Sequence, residues 1–480
     1  MNRSIKWYDY ITHNIYWTGL TSLSQTTTPL ILPLMIQRFV GTENQATYYG
    51  TLRLWTLMIA ILVQAIMGMV SDRSRLAWGR RRPFILIGNI GTITALILIG
   101  LAANFDGIEG YWILFSIVIF LMVATNTAHS ATQGIIPDLV PESYRGRFSG
   151  FKALLEVPLP IIIVSLTIGK LVSQGNIWGG LYVLIAILFI TMIITLFIPE
   201  KRIKTSLTPI NWQPITRILL MTTVFTIAIL LMREFVNLFI TNFTSNQRDV
   251  NVILIGAIGL LAMLIAVVFG VSLSIQTGLG NETKSISSFK WWVINRLCFL
   301  IGSTNLGSFF IFYLQGRLGY EKEQAAAPAT TLLMYVGIFV LLSALPSGYL
   351  VDRYGPKVLV AISGLLAAIG TGIVLLAPNL IYIYIGGCVI GTAIGLFYTS
   401  NWALGTSIIP NLEAGGYLGI SNLAGAGAGA VGAYIGGPIA DYITRINQVT
   451  VGIGYIVLFS IYGCLFLFSI LALKFVKYAK

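Results

Sequence analysis

Long apolar runs constrain this chain more than any other feature. They fall at about 12–37, 46–71, 84–103, 111–135, 146–173, 177–198, 215–241, 251–275, 290–315, 325–350, 358–377, 381–409, 413–439 and 451–475. About 20 apolar residues cross a bilayer as a helix, and in lipid each backbone N–H and C=O must be satisfied within the segment. The expected fold is therefore an all-α membrane protein with about 14 spans. Of the 480 residues, 56% are hydrophobic and 10% charged. A soluble chain is nearer a quarter charged, so a disordered protein, a nucleic-acid module and an ordinary cytosolic enzyme are excluded.

The net charge of +13 comes from basic residues in the gaps between runs. Strict alternation of spans places 21 of the 30 Lys and Arg on the side of the termini and 7 on the other, with Arg233 and Arg296 inside spans. The positive-inside rule makes the richer side cytoplasmic. The expected location is the plasma (inner) membrane with both termini cytoplasmic. The first run lacks a cleavage site after a short core, so it reads as a retained span rather than a signal peptide. Cys298, Cys388 and Cys464 lie in apolar runs and read as packing residues.

Two stretches repeat. Gly68, Asp72 and Arg73, then Gly79, Arg80, Arg81, Arg82 and Pro83, match Gly348, Asp352, Arg353, Gly355 and Lys357. Two spans later, Ile136-Pro137-Asp138 with Tyr144 and Gly146 matches Ile409-Pro410-Asn411 with Tyr417 and Gly419. The offset predicts a six-helix bundle in 1–200, a linker with two extra helices in 201–289, and a second six-helix bundle in 290–480. Parallel repeats of this kind build transporters with the binding site at their interface near the midplane.

The doubled G-x-x-x-D-R-x-G-R/K loop resembles the signature of the major facilitator superfamily, over essentially the whole chain. The expanded first copy, from Ser71 to Ile85, is similar to the sucrose transporters and the glycoside–pentoside–hexuronide symporters. The resemblance implies a major facilitator fold of two six-helix halves, here with two inserted helices, that alternately opens to each side. Sucrose transporters carry an Asp in the fourth helix, where this chain has Met122 and no carboxylate in the run 111–135.

The doubled loop is the expected conformational gate. Asp72 and Asp352 sit at helix ends beside arginines and the start of the next helix, where charge-assisted bonds and the helix dipole favour a carboxylate. Such a cluster would lock the cytoplasmic ends of the two halves together, and Gly68 and Gly348 would admit close helix contact.

Ionisable groups within spans are the coupling candidates. Glu156 lies one turn after Lys152 and just before Pro158 and Pro160. It reads as a proton or substrate contact, or as an ion pair with Lys152 or Arg296. Arg296 would snorkel to the membrane surface, bind substrate or pair with Glu156. His129 titrates near neutral pH when unperturbed, or serves as a structural donor. Arg233 and Glu234, in the inserted pair, would reach lipid headgroups.

Polar side chains gather on the first and fourth spans of each half. Gln25, Asn126, Gln133, Asn305, Asn401 and Trp402 are the substrate-cavity candidates, among neighbouring Ser and Thr. The resemblance implies that these four spans line the cavity, and amides, hydroxyls and an aromatic platform suit a neutral polar solute. The run Gly425 to Gly432, with Gly436, Gly437 and Pro438, predicts tight packing and a bend. No Walker loop, zinc motif or nucleophile elbow is present, so the chain is not expected to be an enzyme or an ATP-driven pump.

The expected function is secondary active uptake of a sugar or glycoside with H+ or Na+. Export of a drug or metabolite, and a non-transporting assembly factor on the same fold, are the alternatives. The expected partners are a small polar solute, the coupling cation and the bilayer. No cofactor, metal or nucleic acid is expected, and the functional unit is expected to be a monomer.

Overall fold

The computed structural model describes residues 5–76, 78–200, 212–242, 248–279, 285–408, 414–446 and 452–477. After a short N-terminal helix the chain forms α1 (15–40), α2 (Gln45–Asp72), α3 (Arg82–Ala102), α4 (Gly107–Gln133), α5 (Ser143–Ser173) and α6 (Ile177–Leu196). Then follow α7 (Gln213–Asn242), α8 (Arg248–Leu279), α9 (Ser285–Leu318), α10 (Ala326–Tyr354), α11 (Pro356–Leu376), α12 (Leu380–Ile408), α13 (Ala414–Ile446) and α14 (Ile453–Ala472). Among the described residues there is no strand. The second motif copy at Ile409, Pro410 and Asn411 lies outside the described residues, as do Arg3, Lys201, Arg202, Lys204, Lys284 and Lys480.

Thirteen of these helices are long and apolar enough to cross a membrane. The expected fourteenth, α1, is helical throughout 15–40 but is diluted by Thr18, Ser22, Gln25 and Thr26 to Thr28. Two helices are irregular where proline interrupts them. In α1 the segment Thr27–Ile31 widens to a π-turn, in which the Leu32 N–H bonds the Thr27 carbonyl. In that register the next donor would come from Pro33, which has none. The Thr28 carbonyl instead accepts from the Tyr49 hydroxyl at 2.9 Å. In α5 the helix breaks at Val157, before Pro158 and Pro160, and forms a second π-turn over Val164–Ile168. Such turns inside helices recur at functional sites.

Within the first six helices, α3 packs on α4, α4 on α2, and α6 on α1 and α3. Within the last six, α11 packs on α12 and α14, α12 on α10, and α9 on α13 and α14. The two groups meet along α2 against α13 and α5 against α10. Helices α7 and α8 pack on each other and cover α13. This explains α13: its apolar window has the lowest mean hydropathy of the thirteen, 1.2, yet is the most buried, at 89%. Its glycines admit close neighbours: a Cβ on Gly427 would meet the Phe225 ring at 2.6 Å, and one on Gly436 would meet Leu458 at 2.5 Å. The expected tight packing of this run is what the structure holds, and Pro438 lies inside the helix.

Candidate functional site

The repeated loops define one end of the bundle, here called the basic end. In the first copy Arg81, 7% exposed, ties together the ends of α2, α3 and α4. Its guanidinium pairs with Asp72, donates through Nε to Asp138 at 2.8 Å, and donates through Nη1 to Ser71 Oγ at 3.0 Å. Arg80 also pairs with Asp138. Glu200, just past α6, accepts from the backbone N–H groups of Arg81 at 2.7 Å and Arg82 at 3.1 Å. It thereby places an anion on the α3 N-terminus, where the dipole favours one. Gly79 has φ +116°, and a Cβ there would strike the Glu200 carboxyl.

These bonds brace the first six helices internally. The expectation of a lock between the two groups is not what this conformation holds, because Arg81 reaches Asp138 on its own side. The second copy is built more simply. Asp352 and Arg353 are exposed, Arg353 lies over the Tyr354 ring, and Lys357 Nζ donates to the Val476 carbonyl at 2.9 Å. Gly355 turns the chain with φ +82°. Gly68 and Gly348 were expected to seat a close helix contact. A Cβ on Gly68 would only just reach Ser130 at 4.0 Å, and one on Gly348 would meet nothing within 4 Å.

At the opposite end the two groups are sealed. Asp441 on α13, 3% exposed, accepts from the backbone N–H groups of Ala46 at 3.1 Å and Thr47 at 2.7 Å. An aspartate of one group thus caps the first turn of α2 in the other. Gln45 donates to the Tyr455 hydroxyl at 2.8 Å, and Gln37 and Gln315 exchange amide bonds at 3.0 and 3.2 Å. Gly50 and Gly437 bring the α2 and α13 backbones together: their missing Cβ atoms would meet the main chain at Ala433 and Ala46. A cavity of about 380 Å³, lined by Gln37, Glu43, Gln45, Gln315, Asp441 and Arg445, opens outside this seal.

Between the ends lies a central polar layer. On the first group, Trp17 is flanked by Lys152, whose Nζ is 3.6 Å from the ring centre, and by His129 at 5.2 Å edge-on. Glu156 Oε2 is 3.4 Å from Lys152 Nζ, so of its expected partners it takes Lys152. It sits at the end of the α5 segment that breaks at Val157. His129 and Gln133 face each other at 3.2 Å, and Gln25 is half-buried two residues before the α1 π-turn.

On the second group Arg296 neither snorkels nor pairs with Glu156. It donates to Asn401 Oδ1 at 2.9 Å, Asn401 donates to Asn295 at 3.0 Å, and Asn295 donates to the Ser469 carbonyl at 2.7 Å. Trp402 is half exposed beside this chain. Asn126 bonds its own helix at Met122, whereas Asn305 bridges α9 to the Ala428 carbonyl of α13 at 3.1 Å and so ties two helices together. Several buried polar atoms in the layer have no protein partner: Ser22 Oγ, Thr26 Oγ1, Asn305 Oδ1, and the Nε atoms of Arg53 and Arg296. A buried polar atom without a partner is costly, and these are carried by α1, α2 and α9. Arg233 was expected at the headgroups but lies over the Tyr434 ring of α13 at 4.3 Å. Among the described residues no cluster of His, Cys, Asp and Glu could hold a metal ion.

The model of the Major Facilitator Superfamily matches residues 18–433, across both six-helix groups. The chain belongs to this superfamily. Its fold and family are those of membrane transporters, not enzymes, and it is a multi-pass integral membrane protein. Among curated relatives, the lactose permease of Lactobacillus helveticus is 32% identical over 122 residues, 23% of this chain and 19% of that protein. Human solute carrier family 45 member 4 is 32% identical over 89 residues, 18% of this chain and 11% of that protein. The chain thus aligns with a fifth or less of the length of these relatives. Among solved structures, a D-xylose–proton symporter superposes with a TM-score of 0.64 at 16% identity, covering 98% of this chain and 99% of that one. At that identity the likeness shows the superfamily fold alone.

Arg53 and Asp441 are the functional candidates that sequence reasoning missed. Arg53 lies within the run 46–71, seven residues after its start, and an ionisable residue there was itself the signal. Asp441 falls just past the run 413–439, and nothing local marks its partner Ala46, 395 positions away.

Proposed function

We propose that this superfamily member is a secondary active transporter that takes up a sugar or glycoside together with a cation, H+ before Na+. The observation that carries this reading is the central layer of amides, hydroxyls and an aromatic platform lying between two six-helix groups that are sealed at one end. The division is 1–200 and 290–480 as the moving halves, with α7 and α8 in 201–289 as an insert resting on α13. The basic end faces the cytoplasm of a plasma (inner) membrane, so the conformation described is open inward. Opening outward breaks the Asp441 cap and the Gln37–Gln315 pair and brings the basic ends together.

Glu156 is the coupling group in this reading. It sits at a helix break beside its partner Lys152, whose ammonium favours the charged carboxylate and is released from the pair when a proton arrives. His129 and Gln133 lie beside the same Trp17 platform. The GRRRP-type loop and the partial similarity to a protein named lactose permease support a sugar over other small solutes. The functional unit in this reading is a monomer, since one chain supplies both six-helix groups.

Uptake of a labelled sugar panel by cells expressing the chain, with and without a protonophore, tests the reading. Uptake that collapses with the protonophore, and is lost in Glu156→Gln, is expected. Absence of uptake of every sugar, with the protein present in the membrane, would contradict it.

A further inference from the structure

Arg53 is a buried cation in the middle of the membrane-spanning region. It lies eight residues into α2, about 12 Å from the sealed end at 1.5 Å per residue, and is 8% exposed. Three other helices surround its guanidinium. Thr28, in the α1 π-turn, is 3.5 Å from Nη1, at the outer limit of a hydrogen bond. A Cβ on Gly429 of α13 would lie 2.9 Å from Nη2 and 3.6 Å from Thr304 of α9, so only glycine leaves room for the group. The Nε atom is buried with no partner.

A guanidinium offers five N–H donors, and among the described residues Arg53 makes one marginal bond. Among the described residues no carboxylate pairs with it. The acid of the layer, Glu156, is engaged by Lys152. On α9, Arg296 lies eight residues toward the basic end of Thr304, and its Nε is also buried without a partner. Among the described residues neither guanidinium has a carboxylate partner, although Arg296 bonds Asn401 and lies 5.9 Å from the Trp292 ring centre. Charges at this depth are costly and usually paired or functional.

We infer that Arg53 is a carboxylate-binding site and that the transported solute is an acid, its carboxylate held by Arg53 between the two groups of helices. This rests on the transporter reading above and adds the charge of the solute to it. The guanidinium fork matches a carboxylate through two parallel bonds. The carboxylate would satisfy Nε, and Thr28 and Thr304 would flank it. The ligand reaches across the interface, since Arg53 and Thr28 belong to one group and Thr304 and Gly429 to the other.

The test uses the purified full-length protein and two probes that differ only at the sugar C6, phenyl β-D-glucuronide and phenyl β-D-glucoside, with binding read by calorimetry. The glucuronide is expected to bind about tenfold to a hundredfold more tightly, the value of a charge-assisted bidentate contact. Arg53→Gln is expected to abolish that preference, and Arg53→Lys to keep part of it. Gly429→Ala, which retains the charge but crowds the guanidinium, is expected to reduce it and serves if Arg53→Gln fails to fold. A purely structural Arg53 would lower thermal stability in Arg53→Gln without changing the ratio of the two affinities.

Equal affinities in the unaltered protein, or a preference unmoved by these variants, would overturn the inference while leaving a sugar site standing. Binding of benzoate or citrate but of neither glycoside, lost in Arg53→Gln, would keep the carboxylate site and overturn the sugar reading. Binding of none of these probes would overturn the inference.

Discussion

Replacing Gly50 by Ala should weaken the seal between α2 and α13. A Cβ on Gly50 would lie 2.8 Å from the Ala433 carbonyl carbon, nearer still to its oxygen, and 3.1 Å from the Tyr434 Cα. Ordinary carbon contacts are about 3.5–4.0 Å, so the two backbones must separate by roughly 1 Å. No flexible side chain lies between them to absorb the shift. Overpacking of this kind costs about 1–3 kcal/mol, and only in the sealed arrangement. The helix-forming advantage of Ala over Gly is the same in both arrangements and cancels. The ratio of sealed to unsealed molecules should therefore fall by about 5-fold to 150-fold. Spin labels at Glu43→Cys and Glu321→Cys, two exposed positions at the sealed end, would report the distance in a background with the three native cysteines replaced. A new population at longer distance is expected for Gly50→Ala, and none for Gly425→Ala, where a Cβ meets nothing within 4 Å. An unchanged distance distribution in a well-folded Gly50→Ala protein would refute the argument that backbone contact sets the seal.

Asp441→Asn keeps one acceptor oxygen but removes the charge from the α2 cap, so it should weaken the same seal by about 1.5–3 kcal/mol, read with the same label pair. Arg81→Ala should lower thermal stability by about 1–3 kcal/mol, because it removes the buried guanidinium that joins Asp72, Asp138 and Ser71 while Arg80 still pairs with Asp138. Arg81→Lys should recover only part of this, since a single ammonium cannot reach Asp72, Asp138 and Ser71 together. Glu156→Gln should leave stability within about 1 kcal/mol, the worth of a half-exposed pair, while removing the proton dependence of uptake. A melting curve and an uptake assay on the same preparation separate the two effects.

The helical architecture was legible because lipid imposes a simple rule: apolar runs of about 20 residues become helices. The doubled Asp-Arg loop, at Asp72 and Asp352, gave the internal repeat that the family match later spanned. The α5 break was legible from Pro158 and Pro160, and the tight packing of α13 from its alternating Gly and Ala. Side-chain partners were not legible. Arg296 bonds Asn401 because α9 and α12 cross at that level, a fact of tertiary packing rather than of local pattern. Glu200 lies outside any motif, yet it caps α3 because the end of α6 returns to the α3 N-terminus. Arg53 was hidden by loop-charge arithmetic, which assigns each basic residue to a side and loses those that stay in the middle. The seal depended on which faces of α2 and α13 meet, and only the placement of Gly50 against Ala433 and of Asp441 against Ala46 revealed it.

The central claim is that solute and cation cross together through the polar layer. Its most direct test is proton flux in proteoliposomes that hold the purified protein and an internal pH dye, with a sugar or sugar acid added outside at equal pH. The account predicts internal acidification that depends on the added solute and disappears in Glu156→Gln. A solute that enters with no accompanying proton or sodium movement would contradict it.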